Sequence, residues 1–151
     1  MGWLGYFIGK SRCLQNLFIR AAQRRRGEQQ TRALFDGIAR NHSIRSLDVN
    51  ADDRSDEEFL VICAGILINL SQLVVLHLGC DHYLGFDGHS FCSALRSGTT
   101  KLKELSLAGN IGDIGVASLE HGFARIGPFL KTLDLRCNSI GNDGLMAVVE
   151  H

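Results

Sequence analysis

Between positions 77 and 92 the chain reads HLGCDHYLGFDGHSFC, which gathers His77, Cys80, Asp81, His82, His89 and Cys92. Each of these side chains can ligate zinc, but the spacing lacks the paired C-x-x-C or H-x-x-x-H units of a closed structural site. The stretch therefore reads as an irregular loop between a strand and a helix, and no metal or other cofactor is assigned. Arg24, Arg25 and Arg26, preceded by Arg20, form the only dense basic run, and Lys10 and Arg12 add to the positive bias of that end. Such runs can touch phosphate or serve nuclear import. Without interleaved aromatics this one does not suggest single-strand binding, and it reads as a solvated loop. DDRSDEE at 52–58 suits the positive end of a helix dipole and lacks the glycine of an EF-hand. GDIG at 112–115 and GNDG at 141–144 are too short for phosphate loops and mark turn-to-helix junctions.

The elements that carry these residues follow from a repeat. LKELSLAGN at 102–110 and LKTLDLRCN at 130–138 share leucine at the first, fourth and sixth places and asparagine at the ninth. Relaxed copies are LVVLHLGCD at 73–81, IRSLDVNAD at 44–52 and, more faintly, LQNLFIRAA at 14–22. Their first residues, Leu14, Ile44, Leu73, Leu102 and Leu130, are separated by 30, 29, 29 and 28 residues. A fixed period in this range means stacked supersecondary units, each too small to bury its apolar face alone.

In L-x-x-L-x-L the last two leucines are two apart, the strand period. Leu105 and Leu107 should point inward while Glu104, Ser106 and Ala108 point outward. Between strands the apolar spacing changes to three and four, as in Ala33, Leu34 and Ile38, or Leu60, Ala64 and Leu67, so a helix buries one face there. Ser55 and Glu58 have capping-box spacing, and Asp113 and Asp143 should start the fourth and fifth helices. Alternating strand and helix gives an α/β solenoid of about five repeats, with parallel strands on its inner curve and helices outside. Asn110 and Asn138 should hydrogen-bond backbone groups in the turn leaving the strand; Asp81 and Asp52 can substitute, but Ala22 cannot.

Placing the central outward residues in repeat order gives Phe18, Asp48, His77, Ser106 and Asp134. An acid, a histidine and a serine thus fall on three successive strands, side by side at about 4.8 Å per strand. Acyl-transfer catalysis also needs an oxyanion hole and a pocket, whereas a regular sheet face is open. Ser106 also lacks G-x-S-x-G context. No catalytic residue is assigned.

Basic and acidic residues balance at 16 each, so the molecule as a whole has no field to attract nucleic acid or an anionic membrane, and neither is an expected partner. Cys13, Cys63, Cys80, Cys92 and Cys137 are odd in number and form no disulfide framework, which points to a reducing, cytoplasmic setting; most are expected to be small buried hydrophobes. MGWLGYFIGK lacks a basic segment ahead of its apolar stretch, unlike a secretory signal, and Tyr6 stands where a myristoylation motif needs Ser or Thr. FLVICAGILINLSQLVVLHL at 59–78 has the length of a membrane span, but Asn69, Ser71, Gln72 and His77 interrupt it. The repeat register explains it as a buried helix followed by a buried strand.

LKELSLAGNIGDIGVASL and LKTLDLRCNSIGNDGLMAVV resemble ribonuclease-inhibitor-type leucine-rich repeats, as in the sensor regions of NOD-like receptors. The likeness runs from about Leu14 onward, with departures at Ala22, at Tyr83 and in the NIG of repeat four. It implies a horseshoe and a non-enzymatic role in binding a protein partner, of unspecified identity, on the concave strand face. The expected contact residues are Phe18, Arg20, Asp48, Asn50, Val75, His77, Glu104, Ser106, Asp134 and Arg136, led by Phe18, Arg20 and Arg136, because aromatic and arginine anchors dominate interface energy. Two alternatives are a regulatory repeat protein that activates a GTPase and a structural spacer in a larger receptor-like protein. Residues 1–151 read as one domain in which 1–13 resembles the tail of a preceding repeat. Neither end shows a polar cap, so the chain is expected to be a fragment of a longer solenoid, or to have its ends covered by flanking repeats or an oligomer.

Overall fold

In the computed structural model, residues 2–21, 28–51, 65–80, 91, 93–94, 97, 101–109 and 111–149 are described. Ala22, Arg24 to Arg26, the 52–58 acidic stretch with its capping box, Leu60, Cys63, Ala64, Asp81, Tyr83, the remainder of the histidine- and cysteine-rich loop, and Asn110 lie outside them.

Helix α1 (Gly2–Lys10) precedes strand β1 (Asn16–Ala21), and α2 (Glu28–Ala39) leads into β2 (Ser46–Ala51). After a helical segment at 65–69 comes β3 (Val75–Cys80). Phe91, Ser93, Ala94 and Ser97 are helical ahead of β4 (Glu104–Ala108). Then α3 (Gly112–Ile126), β5 (Thr132–Asp134) and α4 (Asn142–Val149) follow. The strands form one open sheet in the order β1-β2-β3-β4-β5, each neighbour parallel. Helix alternating with parallel strand in a single open sheet fits a leucine-rich-repeat-like solenoid. Among the described residues no helix is long and apolar enough to cross a membrane.

The period-2 pattern decides which face of the sheet is packed. Leu47 and Val49, Leu76 and Leu78, and Leu105 and Leu107 are all buried, in one cluster with Leu34, Phe35 and Ile38 of α2, Ile66 and Leu67, Phe91, and Val116 and Leu119 of α3. The first leucine of the motif, at Ile44, Leu73 and Leu102, closes the same core from below the strands. Leu17 and Ile19 in β1 and Leu133 in β5 occupy equivalent positions but are only partly buried, because each has a neighbouring repeat on one side alone.

Helix contacts are set by small residues. A Cβ on Gly37 would sit 1.9 Å from the Gly5 carbonyl oxygen, and one on Gly5 would sit 2.0 Å from that of Ala33. Backbone against backbone leaves no flexible atom to yield, so only glycine permits this α1–α2 spacing.

Burial depth predicts an uneven cost of truncation. Leu105→Ala should lower unfolding free energy by about 3 kcal/mol or more, as expected for a fully buried leucine that leaves a cavity. Leu133→Ala, half-buried in the last strand, should cost clearly less. Urea denaturation followed by circular dichroism measures both; equal losses would contradict the gradient.

Candidate interaction face and its supporting turns

The other face of the sheet carries the outward side chains, and the register aligns them. Phe18, Asp48, His77, Ser106 and Asp134 are successive lateral neighbours in one row. Asn16, Ser46, Val75, Glu104 and Thr132 form the row before it, and Arg20, Asn50, Gly79 and Ala108 the row after. Nine of the ten expected contact residues therefore lie on one strand surface. Arg136 does not: β5 ends at Asp134, and Arg136 lies in the following turn.

Arg136 folds back onto its own strand. Its Nε and Nη2 donate to Asp134 at 2.9 and 2.7 Å, and its backbone N–H donates to Asp134 Oδ1 at 3.0 Å. The side-chain pair, then the backbone bond, then the guanidinium charge, with His77 adding slightly, lower the Asp134 pKa from 3.8 to about 2. At the opposite end of the row Phe18 is 72% exposed. In the middle, His77 Nδ1 lies 3.7 Å from Asp48 Oδ2, both side chains open to solvent. The side chain of Asn50 lies over Gly79, where an added Cβ would approach it to 3.3 Å.

The three residue types of a catalytic triad are laterally adjacent, as the repeat demands. The histidine–acid separation of 3.7 Å is longer than a hydrogen bond, and among the described residues Ser106 makes no side-chain bond to His77. Among the described residues no cluster of three or more His, Cys, Asp or Glu could hold a metal.

The turns beneath this face rest on two buried asparagines. Asn138, in the motif's ninth place, donates to the carbonyls of Leu107 and Leu135 at 2.5 and 2.8 Å and accepts the Gly109 N–H at 2.9 Å, linking consecutive repeats. Cys137 and Ser139 flank it with φ of 61° and 52°, conformations that L-residues seldom adopt. Asn41, which the motif does not mark, is fully buried. It donates to Ile8 and Ser11 carbonyls and accepts the N–H groups of Ser43 and Ile44. Asparagine immediately after a helix and three residues before the next strand motif is the signal that would have identified it.

Asp113 and Asp143 do stand in the first turns of α3 and α4. Ile111, however, holds the N-cap position of α3 with no side-chain cap, and the Asp113 carboxylate instead accepts the Gly141 N–H at 2.6 Å, one repeat ahead. The expectation that most cysteines are buried fails for Cys13 and Cys137, both exposed free thiols. Cys137 lies in a turn with a left-handed backbone, and Cys13 precedes the first strand.

Residues 128–149, which hold the last strand and helix, match a family model described as Leucine Rich repeat. That motif supports a leucine-rich-repeat family and suggests a protein-interaction module, a role typically non-catalytic. No curated protein matches the chain.

Two outcomes follow. Asn138→Ala should cost roughly 3 kcal/mol in urea denaturation, because two buried backbone groups and one part-buried one lose their partner. Arg136→Ala should return the Asp134 titration midpoint from about 2 toward 3.8, read by carboxyl NMR. A carboxyl whose folded pKa is depressed stabilises the fold above its unfolded value. That contribution should disappear as pH falls from about 4 toward 2 in the parent and be smaller in Arg136→Ala, which keeps the backbone N–H bond.

Proposed function

We propose that the chain is a non-enzymatic protein-interaction module of the ribonuclease-inhibitor-like leucine-rich-repeat type, which binds a macromolecular partner on the concave strand face of a horseshoe. The reading is supported above all by the alignment of outward side chains into continuous rows on the sheet face opposite the core. Phe18 and Arg20 at one end and the Arg136–Asp134 pair at the other are the anchors, with Asp48, Asn50, Val75, His77, Glu104 and Ser106 between them. An exposed aromatic ring gains most from being covered, and paired charges at the far end fix orientation rather than add much affinity. Catalysis would need a pocket and an oxyanion hole, and a flat row of strand residues supplies neither. A cytoplasmic setting completes the proposal.

The test is site-specific photo-crosslinking from position 106 on the strand face and, as a reference, from position 117 on the exposed side of α3. A protein adduct is expected from 106 and not from 117, and it should be lost on Phe18→Ala. Adducts from 117 alone, or adducts indifferent to Phe18, would refute the assignment of the face.

A further inference from the structure

Lys10 and Arg12, at the end of α1 and just beyond it, recur one repeat later as Arg40 and His42, each 30 residues on. The same interval separates Leu14 from Ile44, so these residues share a repeat phase. Residues one repeat apart become lateral neighbours in this stack. Gln72 and Lys101, 29 residues apart, show it directly, with Lys101 Nζ donating to Gln72 Oε1 at 2.8 Å. The stack therefore sets Lys10 beside Arg40 and Arg12 beside His42. The next repeats place Asn69 and Ser71, then Gly98 and Thr100, at those phases, so the repeat itself does not require cations there.

Two adjoining clefts of about 550 and 420 Å³ open at this point and share Gly9, Lys10 and Arg40 in their walls. The first also contains Tyr6, Asp36 and Gly37; the second contains Ser11, Arg12, His42 and Ser43. Basic side chains at helix ends often serve the last carbonyls, but several of those are already engaged. Phe7 O accepts Ser11 N–H, Ile8 O and Ser11 O accept Asn41 Nδ2, Asp36 O accepts Arg40 N–H, and Ile38 O accepts Asn41 N–H. Among the described residues none of Lys10, Arg12, Arg40 and His42 forms a salt bridge or a side-chain hydrogen bond, and Lys10 has only the Tyr6 ring, 5.9 Å away. Among the described residues Asp36 is the one acid in the cleft walls. Like charges held side by side repel, and a bound anion relieves that cost.

We propose that these clefts form a binding site for the phosphate group of a phosphomonoester, held by Lys10, Arg12 and Arg40 with His42 at the rim. Guanidinium groups match the planar spread of phosphate oxygens. Two sources carry that phosphate, a soluble compound and a lipid headgroup; Trp3 and Phe7, exposed on α1, would meet the acyl boundary in the second case.

Isothermal titration with inorganic phosphate and pyrophosphate should show saturable binding that weakens about tenfold or more in Arg40→Ala and in Lys10→Ala, with Lys131→Ala unchanged. Circular dichroism verifies that each variant is folded. Absence of saturable binding, or an equal loss in Lys131→Ala, overturns the proposal. Co-sedimentation with phosphatidylcholine vesicles, with and without phosphatidic acid, assigns the source. Phosphatidic-acid-dependent capture lost in both Arg40→Ala and Trp3→Ala identifies a headgroup, and phosphate binding without capture identifies a soluble ligand.

Discussion

The structure depends on one constraint: successive strands must stack parallel and in register, so that each repeat covers the apolar face its neighbour cannot cover alone. Leu47, Leu76 and Leu105 sit directly beside one another in the ladder and are fully buried. A slip of one residue would turn that column to solvent and bring Asp48, His77 and Ser106 into the core, a cost no surface contact could offset. The strictness of the register is what aligns the outward side chains in rows, so the candidate interaction face is a by-product of core packing.

This logic also explains which features were legible in the sequence. The 28- to 30-residue spacing predicts the strand positions, the buried leucines and the central row from Phe18 to Asp134, because all three repeat. Features that do not repeat were not visible. Asn41 lies outside the leucine motif, and its role depends on α1 ending where its carbonyls can be reached. Asp113 looks like a cap for its own helix, but proximity to Gly141 comes from the stacking of α3 and α4, a tertiary fact. Arg136 sits at a strand phase in the template and yet leaves the strand, since its bidentate bond to Asp134 closes a turn.

Stacking acts on charges as well as on leucines. Where phase-mates differ in character the contact is favourable, as for Gln72 with Lys101. Where both are cationic, as for Lys10 with Arg40, the same geometry concentrates charge beside a cleft. A chain with 16 basic and 16 acidic residues can thus carry a strongly cationic spot, because local order rather than net charge governs it. The polar strand face and the cationic cleft at the ends of α1 and α2 are separate surfaces produced by one repeat.

The most direct test of the stacking account is native-state hydrogen exchange resolved by residue. Units stabilised by neighbours on both sides should open last, so amides of Leu47, Leu76 and Leu105 should exchange slowest, and those of Leu17 and Leu133 measurably faster. Protection at Leu17 or Leu133 equal to or greater than that at Leu76 would contradict it, showing that each strand owes its stability to something other than its place in the stack.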